Sequence, residues 1–296
     1  MNVVSPHFKG KLLFDEPMSK HTSWRLGGPA DRYYIPADLH DLQLYLASLS
    51  PDMDILWVGL GSNLLVRDGG IRGQVIAPLN GLNELYANAD GSIYAESGVS
   101  CAKLAKFCHK QGLAGADFFA GIPGTVGGAL AMNAGAFGGE TWNWVESLNL
   151  IDRFGQLVTR SADDFAVGYR QVEIPPQQWF AAAEFRFKRG AQDDPSNIRQ
   201  LLQKRNQSQP IGQPSCGSVF KNPPGKHAAE LIEGAGLKGF CLGHACVSKK
   251  HANFIISNAS TRASEIEALI EHIQAVVQRR YAVRLDTEVR IVGEAA

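Results

Sequence analysis

The sequence predicts an α+β protein with more than one core. Strand-like and helical segments follow one another without the regular alternation that would predict a doubly wound parallel sheet. The chain has 296 residues, which is long for one core and sufficient for two or three subdomains. Its 31 glycines gather beside apolar stretches rather than in a linker, which indicates sharp turns or close backbone approaches at the ends of strands.

The first third of the chain contains short strands and two helices. An amphipathic helix is predicted over 38–49, because leucines recur along it at helical spacing. Ser100 is the expected N-cap of a second helix that runs to about Gln111. Alternating or wholly apolar patterns predict strands at 31–36, 55–58, 74–77 and 92–96.

The remainder is expected to be mostly strands up to about residue 189 and then to contain two further helices. The polar, turn-rich segment 190–195 is the predicted domain boundary. A helix is predicted directly after it, and Ser264 with Glu267 has the spacing of a capping box at the start of another. The helix after the boundary is predicted at 196–207. Further strands are predicted at 147–152, 180–187 and 284–292.

Composition favours a globular enzyme with a small-molecule ligand. Hydrophobic residues make up 45% of the chain and charged residues 20%, as in ordinary globular proteins. The 29 basic residues balance the 29 acidic ones, so no overall field favours nucleic acid or an anionic membrane. A pocket can nevertheless concentrate a few cations on an anionic ligand. The sequence leaves the oligomeric state open, and a monomer is compatible with it.

The expected location is the cytoplasm. The amino terminus lacks a signal-peptide core, and no run approaches the roughly 20 apolar residues of a membrane-spanning helix. The five cysteines are odd in number and scattered, which argues against a disulfide scaffold and for a reducing compartment.

Two groups of residues suggest other chemistry, and we reject both interpretations. Cys241, His244, Cys246 and His251 lack the paired spacing of zinc ligands, so we expect buried thiols and no bound metal. Cys216 has no evident base beside it and is not expected to be a nucleophile.

The first glycine-rich loop directly follows an apolar strand. Its free backbone N–H groups could form an anion-binding concavity suited to a pyrophosphate. It departs from the dinucleotide fingerprint, because Leu64 stands at the third glycine position and no long helix follows. A plain tight turn is the open alternative. The loop residues concerned are Gly59, Gly61, Ser62, Asn63 and Leu64.

The second loop, 119–136, is rich in small residues that would let a helix lie close against a flat partner. Tight helix packing is the alternative explanation for these small residues. Together the two loops resemble the paired flavin-binding segments of the vanillyl-alcohol-oxidase-like FAD superfamily. That resemblance implies bound FAD in a two-subdomain module at 1–85 and 86–190. In the second loop it implies contacts from Gly121, Ile122, Pro123, Gly124, Thr125, Gly127, Gly128, Asn133, Gly135 and Ala136.

Three further segments resemble the UDP-N-acetylenolpyruvoylglucosamine reductase family over about 21–293. They are the Tyr-Arg of 165–170, the Gly-Ser-Val-Phe-Lys-Asn-Pro of 213–223 and the Glu-Val-Arg of 285–293. The resemblance implies NADPH as hydride donor, a UDP-sugar substrate and a C-terminal α+β substrate-binding domain at 195–296. It implies Arg170, Ser218 and Glu288 as catalytic residues. The substrate-binding residues would be Tyr169, Arg205, Gln213, Lys221 and Asn222.

The implied reaction explains these residue types. Hydride adds to the terminal carbon of an enol ether, and negative charge builds on the adjacent carbon and carboxylate. Arg170 can meet that charge with a permanently charged fork. Glu288 can do so only when protonated or when it shares its charge with Arg170, so a raised pKa of Glu288 is expected. Ser218 would protonate the carbanionic carbon.

Two points remain open at this stage. One branch of the family carries an extra loop with a substrate-binding tyrosine after the Tyr-Arg pair. Only 171–179 separates that pair from the next strand here, so the sequence resembles the shorter branch, and how the UDP moiety is covered is undetermined. Taken singly, each catalytic candidate also has an ordinary explanation as a turn serine, a surface arginine or a solvated strand edge. Two other functions are alternatives to the reductase that the resemblance implies: a flavoprotein oxidase of the same superfamily and a non-enzymatic nucleotide-sugar binding protein.

Overall fold

The computed structural model describes residues 8–190 and 196–296. These residues form two compact units, and each unit draws on separated stretches of the chain. Of the described residues, the first unit comprises 8–13, 32–60, 73–190 and 196–202, and the second comprises 14–31, 61–72 and 203–296. The predicted division into 1–85, 86–190 and 195–296 stays a prediction, and most of its boundary segment, 191–195, lies outside the described residues.

The helices of the described residues are α1 Leu39–Ser48, α2 Cys101–Lys110, α3 Val126–Met132, α4 Ser196–Ser208, α5 Ala228–Gly234 and α6 Ala263–Tyr281. Short 3₁₀ turns lie at Met18–Lys20, Asp117–Gly121, Thr141–Trp144 and Ala162–Asp164. Across residues 8–190 and 196–296, every helix is too short or too polar to cross a membrane.

The strands up to residue 114 are β1 Lys11–Pro17, β2 Pro29–Ile35, β3 Ile55–Trp57, β4 Leu64–Val66, β5 Ile71–Ile76, β6 Leu85–Ala87, β7 Ile93–Glu96 and β8 Leu113–Ala114. Those between 135 and 189 are β9 Gly135–Ala136, β10 Gly139–Glu140, β11 Val145–Asp152, β12 Leu157–Ser161, β13 Val167–Gly168, β14 Gln171–Val172, β15 Gln178–Phe185 and β16 Lys188–Arg189. The last four are β17 Cys241–Leu242, β18 Ala245–Val247, β19 Ile255–Ile256 and β20 Arg290–Val292.

An antiparallel sheet in the order β12-β11-β15-β7-β6 organises the first unit. Its central strand β15 is apolar without alternation because both faces are covered. Phe180 and Ala183 pack into a core with α2 and α3. Ala181, on the opposite face, packs into a second core with Tyr34 and α1.

Helix α1 confirms the predicted amphipathic helix. The carboxylate of its N-cap, Asp38, accepts the N–H of Asp41 at 2.7 Å. Leu42 and Leu46 are buried in the second core. The α2 prediction is confirmed in the same way, because Ser100 Oγ accepts the N–H of Lys103 at 3.2 Å.

The second unit is built around α6. This helix buries an apolar face of the predicted spacing, which includes Ile266, Leu269 and Ile273, against the β17-β18-β19 sheet and α5. The indole N–H of Trp24 donates to the carbonyl of Ile255 at 2.8 Å and ties the 14–31 stretch into this core. Strand β20 pairs in parallel with β4, with Arg290 opposite Leu64.

Two predictions near α6 are wrong. The strand expected over 284–292 is only β20, and an isolated bridge joins Thr287 to Phe220 before it. The capping box of Ser264 and Glu267 is also wrong, because α6 begins earlier, after Arg262. The Asp68 carboxylate takes the capping role, accepting the N–H of Ala263 at 2.9 Å and of Ser264 at 3.0 Å.

The expectation of buried thiols at Cys241 and Cys246 is likewise wrong. The β17–β18 hairpin sets these two residues directly opposite one another, with their Cα atoms 4.1 Å apart, and they form a disulfide. Cys241 is exposed and Cys246 is half-buried. A single bridge across a short hairpin is not a disulfide scaffold. The other three cysteines, Cys101, Cys108 and Cys216, are free and buried.

Asp68 gives a testable contribution to stability. Burial raises the pKa of its carboxyl, but the N–H groups of Ala263 and Ser264 lower it further, so the net pKa lies below the ordinary value. The contribution is therefore present above the unfolded pKa of about 3.9 and lost as pH falls through the folded value. Asp68→Ala should cost about 0.5–2 kcal/mol at pH 7.

Urea unfolding and amide hydrogen exchange over the first turn of α6 measure this effect. Asp68→Asn, which keeps one acceptor oxygen, is the matched variant and should lose less. The difference between wild type and Asp68→Ala should shrink at acidic pH. Equal unfolding midpoints at pH 7 would contradict the capping role.

Candidate active site

In the first unit, the start of α3 is fastened to its neighbours by the backbone. Thr125 is the N-cap, and its hydroxyl accepts the N–H of Gly128 at 3.4 Å. The N–H of Gly127 donates to the carbonyl of Ser97 at 2.9 Å. The carbonyl of Gly124 accepts the N–H of Cys101, the first residue of α2, at 2.9 Å. The second predicted loop therefore has a fixed conformation.

The first predicted loop meets the second at Gly59. A Cβ at Gly59 would lie 2.5 Å from Thr125 Oγ1, closer than van der Waals contact allows. A side chain at this position would displace the N-cap of α3. The two glycine-rich loops, which the sequence separates by about sixty residues, are thus adjacent at this point of the first unit.

The two glycines at the start of α3 have different environments. Gly127 is buried, and a Cβ there would lie 2.8 Å from Ser97 Cβ, so its small size is required by packing. Gly128 is exposed, and a Cβ there would meet only Thr125 Oγ1, at 3.7 Å. Helix packing therefore explains Gly127 but leaves Gly128 unexplained.

The end of α3 positions Arg170. Asn133 closes the helix in the left-handed conformation, with φ of 44°. The Arg170 guanidinium donates to the carbonyls of Asn133 and Gly135, both at 3.0 Å. Arg170 itself has a φ of 55°, a conformation costly for a residue with a side chain. Its guanidinium carbon lies 5.0 Å from the ring centroid of Tyr169.

Other predicted residues of the loop lie around this cluster. A Cβ at Gly121 would lie 2.3 Å from the Phe137 ring and 2.9 Å from Ala136 Cβ, so this glycine is also required by packing. Gly135 and Ala136 form β9 and pair with β10. Ile122 is half-buried and Pro123 is exposed.

In the second unit, the remainder of the first loop runs into β4. Gly61 has a φ of 63°, and its Cβ position lies 2.0 Å from the carbonyl oxygen of His21. The left-handed backbone and the lack of space for a side chain therefore both favour glycine here. Ser62 is half-buried. Leu64 is buried, so its side chain belongs to the core.

Ser218 and Glu288 lie on neighbouring backbone segments of the second unit. The N–H of Glu288 donates to the carbonyl of Val219 at 2.8 Å, and the N–H of Lys221 donates to that of Asp286 at 2.9 Å. These bonds align Ser218 and its successors with the Glu288 segment.

Asn63 and Asn253 hold this alignment. The Asn63 amide donates to the carbonyl of Glu288 at 2.9 Å, and the N–H of Arg290 donates to the carbonyl of Asn63 at 3.1 Å. The Asn253 side chain is buried and bonds to both backbone groups of Phe220. We refer to Asn63, Ser218–Phe220, Asn253 and Glu288 as the Ser218 cluster.

Two of the predicted substrate-binding residues, Arg205 and Asn222, have local structural contacts. The Arg205 guanidinium donates to Gln209 Oε1 at 2.8 Å within α4, and burial lowers the pKa of Arg205. The Asn222 side chain accepts the N–H of Ala228 at 3.0 Å, at the start of α5. Gln213 is exposed in the loop after α4. Their assignment to substrate stays a prediction.

The Cys216 thiol does not have the features of a nucleophile. Burial first, and the nearby charge of Glu288 second, raise its pKa well above the ordinary value. The thiol therefore stays protonated near neutral pH. Over the ranges 8–190 and 196–296, histidines, cysteines and carboxylates form no cluster that could hold a metal ion.

Sequence reasoning missed two residues, Ser97 and Asn253. Ser97 lies under the first turn of α3 with a fully buried hydroxyl that lacks a hydrogen-bond partner among residues 8–190 and 196–296. Asn253 follows Ala252 and precedes the apolar run 254–256. A lone amide in such a run is the signal that could have identified it, since buried amides are normally bonded.

The arrangement at α3 fits a flat cofactor. Exposed Gly128 and Pro123 leave the backbone at the start of the helix approachable from solvent. The chain also matches the family model described as an FAD binding domain over residues 30–161. Fold and site thus define a flavin-dependent oxidoreductase.

Comparison with known proteins identifies the particular family. Residues 209–292 match the model for the C-terminal domain of UDP-N-acetylenolpyruvoylglucosamine reductase. Relatives named UDP-N-acetylenolpyruvoylglucosamine reductase are 55% identical in Alkalilimnicola ehrlichii and 51% identical in Methylococcus capsulatus. These matches cover 97% of this chain and 96% and 95% of the two relatives. The chain belongs to the UDP-N-acetylenolpyruvoylglucosamine reductase family.

A solved structure agrees with this assignment. The crystal structure of UDP-N-acetylenolpyruvylglucosamine reductase from Thermus caldophilus is 27% identical and has a TM-score of 0.79. The match covers 96% of this chain and 98% of that one. The predicted fold, an FAD-binding module of the vanillyl-alcohol-oxidase type plus a C-terminal α+β domain, is confirmed.

The two neighbouring glycines provide a test that separates packing from cofactor contact. Gly127→Ala should destabilise the apoprotein, because its methyl group would collide with Ser97. Gly128→Ala should leave the apoprotein as stable or stabilise it by about 0.5–1 kcal/mol, because alanine favours a helix. The same substitution should weaken FAD binding by about tenfold, or about 1.4 kcal/mol, since it adds a methyl group to the exposed face.

Thermal unfolding of the apoproteins and flavin-fluorescence titration measure the two effects independently. Wild-type FAD affinity in Gly128→Ala would mean that the cofactor does not lie against this glycine.

Proposed function

We propose that this protein catalyses the NADPH-dependent, FAD-mediated reduction of UDP-N-acetylenolpyruvoylglucosamine to UDP-N-acetylmuramate, a step in peptidoglycan precursor synthesis. The observation that carries the proposal is the pairing of the Ser218 segment with the Glu288 segment through the 2.8 Å bond from Glu288 N–H to the Val219 carbonyl. This bond brings the backbone segments of Ser218 and Glu288 next to each other, and the proposed reaction requires a proton donor and a group that stabilises charge. Both residues lie within 209–292, the range that matches the model of the family's C-terminal domain.

FAD, when bound, supplies the hydride that the enol ether accepts. The residues we propose to hold it are the predicted ones of the two loops, from Gly59 to Leu64 and from Gly121 to Ala136. The exposed face of α3 and the anchored N-terminal turn at Thr125 support this assignment. Backbone N–H groups and the absence of side chains suit a pyrophosphate and a flat ring.

Arg170 is proposed to stabilise the negative charge that develops on the substrate carboxylate. Its guanidinium is fixed by the two carbonyls at the end of α3, so it does not need to reorganise during the reaction. A guanidinium also remains charged throughout the accessible pH range. The left-handed backbone of Arg170 supports a functional role, because such strain is commonly retained at active sites.

Ser218 is proposed to donate the proton to the carbon next to the carboxylate, and Glu288 to share the stabilisation of charge. The serine hydroxyl is a weak acid, but the carbanionic intermediate is a strong base, so the transfer is favourable when the geometry is right. Tyr169, Arg205, Gln213, Lys221 and Asn222 are proposed to contact the UDP-sugar. We further propose a cytoplasmic location and a catalytic unit that needs neither nucleic acid nor membrane.

Of the two alternatives, the non-enzymatic binding protein is excluded by membership in an oxidoreductase family. The oxidase alternative differs from the proposal in its electron acceptor. Rapid turnover with oxygen and no oxidation of the reduced flavin by the enolpyruvyl sugar would favour the oxidase.

Ser218→Ala tests the proposed proton donor. The variant should keep anaerobic bleaching of the flavin by NADPH within about twofold of wild type. Reoxidation by the enolpyruvyl UDP-sugar should slow by roughly 10²- to 10⁴-fold, the range that a general acid contributes. Stopped-flow absorbance of the flavin band measures both half-reactions separately.

Ser215→Ala, three residues earlier in the same segment, is the matched control and should retain both rates. Wild-type reoxidation in Ser218→Ala would remove the serine from the mechanism. A flavin that NADPH bleaches but that no enolpyruvyl sugar reoxidises would keep the cofactor and exclude the substrate.

A further inference from the structure

We infer that Asn253 is a positioning residue for the reaction: it sets the location of the Ser218 hydroxyl by clamping the backbone of Val219 and Phe220. The inference rests on the proposed function, in which Ser218 donates the proton. Asn253 lies 35 residues beyond Ser218 in sequence and is one of the few buried polar side chains among the described residues.

Three hydrogen bonds make the clamp. Asn253 Oδ1 accepts the N–H of Phe220 at 3.0 Å, and Asn253 Nδ2 donates to the carbonyl of Phe220 at 2.8 Å. The main-chain carbonyl of Asn253 accepts the N–H of Val219 at 2.9 Å. The amide thus satisfies both backbone groups of one residue, as a neighbouring strand would. Only an amide of this length offers a donor and an acceptor in that arrangement.

The clamp acts directly beside Ser218. Gly217 precedes the serine with a φ of 75°, a backbone conformation that favours glycine, and no atom lies within 4 Å of its Cβ position. Side-chain packing at Gly217 therefore does not hold the serine, and the restraint on its other side comes from the following residues. Val219 and Phe220 are almost fully buried and are held by Asn253.

The Glu288 segment holds the same residues through different atoms. The carbonyl of Val219 accepts the N–H groups of Glu288 at 2.8 Å and Val289 at 3.3 Å. Asn253 bonds to the N–H of Val219 and to the N–H and carbonyl of Phe220. The bonds from Asn253 and those from the Glu288 segment therefore use different atoms and do not compete. Loss of the Asn253 side-chain amide would keep the main-chain bonds of Val219 but release both backbone groups of Phe220.

Asn253 is itself rigidly placed. Ser248 Oγ accepts the N–H groups of Lys250 at 3.1 Å and His251 at 3.3 Å. The N–H of Phe254 donates to the carbonyl of His251 at 3.1 Å, and the N–H of Ser248 donates to that of Phe254 at 2.8 Å. The turn 248–254 is therefore closed by its own bonds and can serve as a fixed support.

The expected consequence is a loss of rate in one half-reaction. Displacement of a catalytic group by about 1 Å costs on the order of 10²-fold in rate. Asn253→Ala should slow reoxidation of reduced enzyme by the enolpyruvyl UDP-sugar by roughly 10- to 100-fold. Bleaching by NADPH should stay within about twofold and sugar affinity within about threefold, because Asn253 acts only through Ser218.

A double-mutant cycle with Ser218→Ala gives the decisive measurement. If Asn253 acts through the serine, Asn253→Ala should slow reoxidation by less than about twofold when Ser218 is already alanine. In the presence of Ser218, the solvent deuterium isotope effect on reoxidation should increase, because proton transfer becomes more limiting. A general loss of structure would not move that isotope effect.

Ser257→Ala is the matched control, since Ser257 is equally buried and its hydroxyl donates to the carbonyl of Trp24 at 2.7 Å, away from Val219 and Phe220. It should lower the unfolding temperature with no change in reoxidation. Asn253→Ser, which retains a short hydrogen-bonding group, replaces Asn253→Ala if the alanine variant does not fold.

The outcomes separate the two proposals. If Ser218→Ala alone leaves reoxidation unchanged, the proposed proton donor is wrong and the inference about Asn253 falls with it. If Ser218→Ala slows reoxidation but Asn253→Ala has no effect, or the same effect in both backgrounds, the serine role stands and the positioning role of Asn253 is overturned.

Discussion

The second unit depends on one backbone alignment, in which the segment after Ser218 pairs with the segment before Val289. The bond from Glu288 N–H to the Val219 carbonyl is a main-chain interaction, so it fixes the spacing of two side chains without using either. The amides of half-buried Asn63 and buried Asn253, one on either side, maintain the alignment, and a buried amide is costly to leave unpaired.

In the first unit, the start of helix α3 has an exposed backbone surface that is nevertheless held rigidly. Helix α3 is short, and an isolated helix of seven residues would be unstable in water. Its order comes from tertiary contacts: the Ser97 carbonyl at its start, and Asn133 with Arg170 at its end. Buried Gly127 permits the close approach to Ser97, and Gly128 keeps the opposite surface free of side chains.

Local patterns predicted the elements well, and long-range contacts account for the errors. Helix α1 followed from leucine spacing and α2 from its N-cap Ser100, since both signals act within one or two turns. The start of α6 was misplaced because its capping carboxylate, Asp68, lies almost two hundred residues earlier in the chain. The Cys241–Cys246 bridge was missed because the cysteine count does not reveal a hairpin register. For the site, motifs identified candidate residues, but the clamp at Asn253 required the fold.

Asn63 links the first glycine-rich loop to the Glu288 segment within the second unit, through both its side chain and its main chain. The sequence suggested that this residue contacts FAD, and the structure uses its side-chain amide for the Glu288 carbonyl and its own carbonyl for Arg290. If the loop binds a pyrophosphate, as proposed, the Asn63 amide is already bonded to the Glu288 carbonyl, so main-chain N–H groups are the expected donors to the ligand. Because one side chain joins the loop to the main chain of Glu288, a change in the conformation of the loop would be transmitted to the backbone at Glu288.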